Sequence, residues 1–151
     1  MEIIPTFWLA AGLVTLVGVA LIWRMGRGAE RAVRGQLDTF VVGEVAAWLE
    51  ARLRRPRAEI ASLLTSRNAP EDFTTAYDRH IDFVFLEFER QHAGYFLEIR
   101  IEKDGDSLLN VRRRLALDDL PSPVQQAFLR GETRLHVPWH PEFHEPGSAA
   151  A

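Results

Sequence analysis

Residues Ile3 to Trp23, IIPTFWLAAGLVTLVGVALIW, carry no charged side chain, and no other stretch restricts so strongly what the chain can become. As a helix rising ~1.5 Å per residue the segment reaches about 31 Å, close to the hydrocarbon thickness of a bilayer. Pro5 falls in the first turn, where a missing N–H is harmless, and Trp8 and Trp23 stand near the two ends, where aromatic rings anchor at membrane interfaces. The start Met1-Glu2 and the exit Trp23-Arg24-Met25 lack the basic leader and small-x-small site of a cleaved secretion signal. A single-pass transmembrane anchor over residues 1–25 is the expectation.

The flanks of the segment set an orientation. Glu2 alone precedes it, whereas Arg24, Arg27, Arg31 and Arg34 follow, so the positive-inside rule places the N-terminus outside and the bulk of the chain in the cytoplasm, at an inner (cytoplasmic) membrane of bacterial type. These arginines recur at steps of three and four and form a helical stripe suited to anionic lipid headgroups. Within the segment Ala11, Thr15 and Gly18 share one helical side, a strip of small residues on which another membrane helix can pack closely.

The 151-residue chain has 47% hydrophobic residues and a formal charge of −3, which leaves room for one compact domain and predicts no nucleic-acid partner by bulk attraction. There is no cysteine, which rules out disulfides, thiolate metal sites and cysteine nucleophiles.

Residues 26–56 read as a juxtamembrane amphipathic helix. Leu37, Val41, Val45, Trp48, Leu49 and Leu53 follow helical spacing up to Pro56, and Gly26 and Gly28 weaken its start as a hinge. Residues 57–137 then read as a small α+β cytoplasmic domain of helices, one β-hairpin and a candidate third strand. A short helix follows Pro56, with Ile60, Leu63 and Leu64 on one face. Pro70, Glu71 and Asp72 open a second helix, whose spacing through Phe73, Tyr77, His80 or Ile81, Val84 and Phe88 predicts that it continues to Gly94 as the central helix of the domain.

From Tyr95 the period changes to two. Leu97, Ile99 and Ile101 alternate with charged residues, and Leu109, Val111, Leu115 and Leu117 do the same beyond Asp104-Gly105, the signature of a hairpin. A two-residue Asp-Gly loop would oppose Ile99 to Asn110 and send the two apolar sets to opposite faces. A three-residue loop from Lys103 to Gly105 pairs Ile99 with Leu109 and Leu97 with Val111, and is the expected register. Ser122 and Pro123 begin a further helix that buries Val124, Ala127 and Phe128 and stops at Gly131. Thr133 to Val137 is the candidate third strand, and residues 138–151 form an irregular tail rich in proline and histidine.

Chemistry-bearing constellations are sparse. His136, His140 and His144 are spaced by four beside Glu142 and Glu145, and imidazole and carboxylate suit zinc, copper or nickel. Pro138 and Pro141 exclude the helix that would bring the histidines together, so no metal site or cofactor is expected, and Trp139 and Phe143 are expected to pack on the domain or a partner. Asp78, Asp82, Glu87 and Glu89 read as the solvated face of the central helix. Arg112, Arg113 and Arg114 alternate across a strand. No phosphate loop and no nucleophile motif is present, so no catalytic residue is assigned. The expected function is that of an accessory, assembly or scaffolding subunit of a membrane protein complex, not an enzyme, acting on other membrane subunits by helix packing and by its domain surface. The alternatives are a ligand-sensing or regulatory membrane protein, or a metal-binding protein built on the histidine tail.

Overall fold

The computed structural model describes residues 35–145. The expected membrane segment, its strip Ala11, Thr15 and Gly18, its interface residues Trp8 and Trp23 and the arginines at 24, 27, 31 and 34 all lie outside the described residues. Among the described residues no helix is long and apolar enough to cross a membrane.

The described residues form a small α+β domain. Helix α1 occupies residues 35–53, followed by α2 (Arg57–Leu64), α3 (Glu71–His80), the strands β1 (Phe83–Gln91), β2 (Gly94–Lys103) and β3 (Asp106–Leu115), helix α4 (Ser122–Leu129) and strand β4 (Arg134–Trp139). The strands make one antiparallel sheet in the order β3-β2-β1-β4. A closing 3-10 turn covers Glu142–His144.

Helix α1 buries the face its spacing predicts. Leu37, Val41, Val45 and Leu49 lie in the core together with Val42, Ala46 and Trp48, so its apolar stripe is wider than a two-position seam and suits packing on its own domain. The helix ends at residue 53, three residues before Pro56, and Arg54 turns the chain in the left-handed region with φ of 53°. Ile60 and Leu64 from α2, Phe73 and Tyr77 from α3, and Val124 and Phe128 from α4 join the same cluster. The helices thereby cover one face of the sheet.

The central helix expected up to Gly94 ends instead at His80, and residues 83–91 are strand β1. The spacing Phe73, Tyr77, Ile81, Val84, Phe88 fits a helix by coincidence. Beyond Asp82 the sequence FVFLEFERQ also fits a strand, with β-branched and aromatic residues alternating so that Val84, Leu86 and Phe88 enter the core. The change of period is pinned at Asp82, whose carboxylate accepts from Lys103 Nζ at 2.6 Å and from the backbone N–H of Asp104 at 2.8 Å. Tertiary pairing with the β2–β3 hairpin thus decides what local spacing leaves open.

The hairpin uses a two-residue loop, not the expected three-residue one. Asp104 (φ 53°) and Gly105 (φ 84°) are both left-handed, as a type I′ turn requires. Lys103 pairs with Asp106 and Glu102 with Ser107, but a bulge then skips Leu108 so that Ile101 faces Leu109 and Ile99 faces Val111. The bulge restores the parity that the tight turn alone would break, and Leu97, Ile99 and Ile101 are fully buried on the helix-covered face. Each contributes on the order of 1.5–3 kcal/mol through that burial.

Helix α4 buries Val124, Ala127 and Phe128 and is followed by Gly131 at φ 98°, as its sequence predicts. The third expected strand exists as β4 and runs on to Trp139, pairing antiparallel with β1. Pro138 is tolerated because β4 is an edge strand. The tail folds back onto the domain: Phe143 meets Phe73 and Tyr77 edge-on, with ring centroids 5.8 and 5.3 Å apart.

Candidate functional site

The face of the sheet turned away from the helices carries the side chains that the core does not use. Alternation sends Phe83, Phe85, Glu87 and Glu89 of β1, Phe96, Glu98, Arg100 and Glu102 of β2, Arg112 and Arg114 of β3, and Arg134 and His136 of β4 to this side. The register stacks them in rows across the strands. One row reads Arg112, Glu98, Glu87, His136 and the next Arg114, Phe96, Glu89, Arg134. Two acidic central strands are therefore bordered by cationic edge strands.

Glu87 sits at the centre and is only 8% exposed. It is ion-paired with Arg134 Nε at 2.9 Å, with Arg100 at 3.8 Å and His136 Nδ1 at 3.6 Å. A carboxylate so shielded requires such partners, since an unpaired buried charge is strongly destabilising. Its cross-strand neighbour is another acid, Glu98, a like-charge juxtaposition that costs up to ~1 kcal/mol unless cations surround it. Glu89 lies between Arg112 (3.4 Å) and Arg134 (3.2 Å). Hydrogen bonds from the side chains of Gln91 and Arg134 hold its carboxyl below the usual glutamate range, and the same pairing raises Arg134. The guanidinium of Arg112 also lies 4.3 Å over the Phe96 ring.

Along the strands the face changes character. Toward the start of β1, Phe83 is 54% exposed and stacks at 5.7 Å on Phe85, beside Pro138. A large exposed aromatic next to ordered charges is the composition of a recognition surface, because the ring supplies desolvation and the charges supply register. The face is open, so it can align a partner surface but does not enclose a small molecule.

The expected site residues are dispersed. His136 stands on the open face against Glu87, whereas His144 contacts Asp78 of α3 at 2.8 Å, and His140 lies exposed between them in sequence. Among the described residues no group of three or more histidine and acidic side chains converges as a metal set. Trp139 and Phe143, expected as a partner surface, are partly buried against the domain's own core, so most of their apolar area is already used there. Glu87 and Glu89 are not the solvated face of a helix but the charged centre of the sheet, a role hidden while residues 83–91 read as helical. The signal that could have revealed it is the two-residue alternation of Val84, Leu86 and Phe88.

Tyr77 lies beneath the tail, and burial first, then the charge of Asp78, pushes its hydroxyl well above the usual tyrosine range. The hydroxyl therefore stays protonated and uncharged near neutral pH. No protein-family model, no curated protein and no solved structure matches the chain.

Proposed function

We propose that the protein is a single-pass accessory or scaffolding subunit of a membrane protein complex, anchored through Ile3–Trp23 with its α+β domain in the cytoplasm. The domain binds a neighbouring subunit through the open sheet face, and the membrane helix packs beside its partner through Ala11, Thr15 and Gly18. The carrying observation is the exposed Phe83, stacked on the half-buried Phe85 and set beside the ordered charges around Glu87. In this reading the protein has no catalytic role of its own, and the sheet supplies rigidity to the surface rather than chemistry.

The test is purification of the tagged chain after gentle solubilisation. A stoichiometric membrane partner is expected, and it should be lost with Phe83→Ser together with Phe85→Ser, or with bulky replacements at Ala11, Thr15 and Gly18. A monodisperse chain that recovers no partner refutes the reading.

A further inference from the structure

The sheet is electrically polarised along its strands. β2 runs from Gly94 to Lys103, which separates its two ends by about 30 Å. At the end formed by the β1–β2 turn, the last residues of β3 and the start of β4, the exposed side chains include Arg112, Arg113, Arg114 and Arg134. Of the acids at this end, Glu89 lies between Arg112 and Arg134 and Glu132 faces Arg130, while Asp119 accepts from the backbone N–H of Ala116 and Asp118 is exposed. Arg113 instead lies 4.5 Å over the Phe40 ring and Arg114 runs beside Gly94, and neither takes part in a described ion pair. The opposite end gathers Asp78, Asp82, Glu102, Asp104 and Asp106 around Lys103 and Arg79.

The basic end is also where the chain enters the domain. Gly35, the first described residue, forms a shallow groove with Gln36, Thr39, Phe40 and Arg113. Gly35 follows Trp23 by 35 − 23 = 12 positions, so even a fully extended connection keeps Gly35, which shares the groove with Arg113, within about 43 Å of the end of the membrane segment. That connection itself carries Arg24, Arg27, Arg31 and Arg34.

The geometry points to a membrane-resting orientation in which Arg113 and Arg114 seat this end of the domain on the anionic headgroups of the bilayer that holds its anchor. The inference rests on the membrane-anchor reading above. A negatively charged leaflet attracts the arginine end and repels the Asp104–Asp106 end, so the two forces act in the same rotational sense. The strands then stand up from the membrane, and the open face points sideways toward a neighbouring subunit rather than into lipid or bulk solvent. Arg112 and Arg134, already committed to Glu89, stay with the sheet.

The native chain has no cysteine, so single labels can be placed by Ala93→Cys at the basic end and Asp106→Cys at the acidic end. Full-length protein is reconstituted in nanodiscs of phosphatidylcholine alone or with phosphatidylglycerol, and energy transfer from each label to acceptor-tagged headgroups is measured. Transfer from position 93 should exceed that from position 106 in anionic discs and fall in neutral ones. Arg113→Glu and Arg114→Glu should each lower the ratio of membrane-resting to free domain about fivefold or more, with an unchanged far-ultraviolet circular dichroism spectrum reporting an intact fold. Equal transfer from both positions, or no response to lipid charge or to the arginine substitutions, overturns the inference. Failure of the unlabelled chain to float with liposomes after an alkaline wash refutes the anchor itself, and the orientation with it, by a separate observation.

Discussion

Deleting Leu108 should be nearly silent, although it removes a residue from the middle of a strand. Leu108 is the surplus residue of the β2–β3 bulge: Glu102 faces Ser107 and Ile101 already faces Leu109. Without it the ladder runs on unbroken, and Ile99 still faces Val111. Leu108 is 45% exposed, so about half of a leucine's burial energy, roughly 1 kcal/mol, is lost, and a regular pair of strands replaces a kinked one. The net change should stay within about 1 kcal/mol. Deleting Arg112 is the control. The shorter strand can close its bulge only by bringing Leu108 and Asn110 to the core side and sending Leu109 and Val111 to the open face. Burying the asparagine amide and exposing the valine together cost about 3 kcal/mol. Urea denaturation of the full chain in detergent, followed by loss of the strand signal in far-ultraviolet circular dichroism, measures both. A cost above about 3 kcal/mol for the Leu108 deletion, or equal costs for the two deletions, would falsify the register argument.

Two further outcomes test other parts of the structure. Gly43→Ala should raise stability by ~0.5–1 kcal/mol in the same denaturation series, because a Cβ at this position in α1 meets nothing within 4 Å and alanine restricts the unfolded chain; a loss of stability would show that the helix is wrongly placed there. The Asp82–Lys103 pair should make the junction between α3 and the hairpin pH-sensitive at both extremes. The hydrogen bond from Lys103 lowers Asp82, with the Asp104 amide adding to it, so its contribution is present above the unfolded value of 3.8 and is lost as pH falls through the lower folded value. Lys103 is raised by Asp82, so its contribution is present below 10.5 and is lost as pH rises through the higher folded value. Amide exchange at Asp104 should follow both limbs, and Asp82→Asn should flatten the acid one; an unchanged acid limb in that variant would exclude the pair as its cause.

Much of the architecture was legible in local patterns. The stripe from Leu37 to Leu49, the short helix around Val124 and Phe128, and the alternation of Leu97, Ile99 and Ile101 each repeat with the period of the element they form, because burial on one face requires that repeat. The uncharged run from Ile3 to Trp23 is likewise read from residue identity alone, but it lies outside the described residues. Such features need no knowledge of what the segment touches.

Other features depend on partners distant in sequence. Residues 83–91 satisfy helical and strand spacing at once, and the choice is made by β2 on one side, β4 on the other, and the grip of Lys103 and Asp104 on Asp82. The bulge at Leu108 is chosen because core-side packing of Leu109 and Leu115 outweighs an irregular ladder, an energy that exists only when the helices cover that face. The candidate site is likewise tertiary: Glu87, Arg100, Arg134 and His136 meet only because three strands align, and Phe83 stays exposed only because the core takes the opposite face. Periodicity determined which residues each element buries; pairing between strands decided which elements formed and which charges came together, because hydrogen-bonded register carries side chains across the sheet that no local spacing connects.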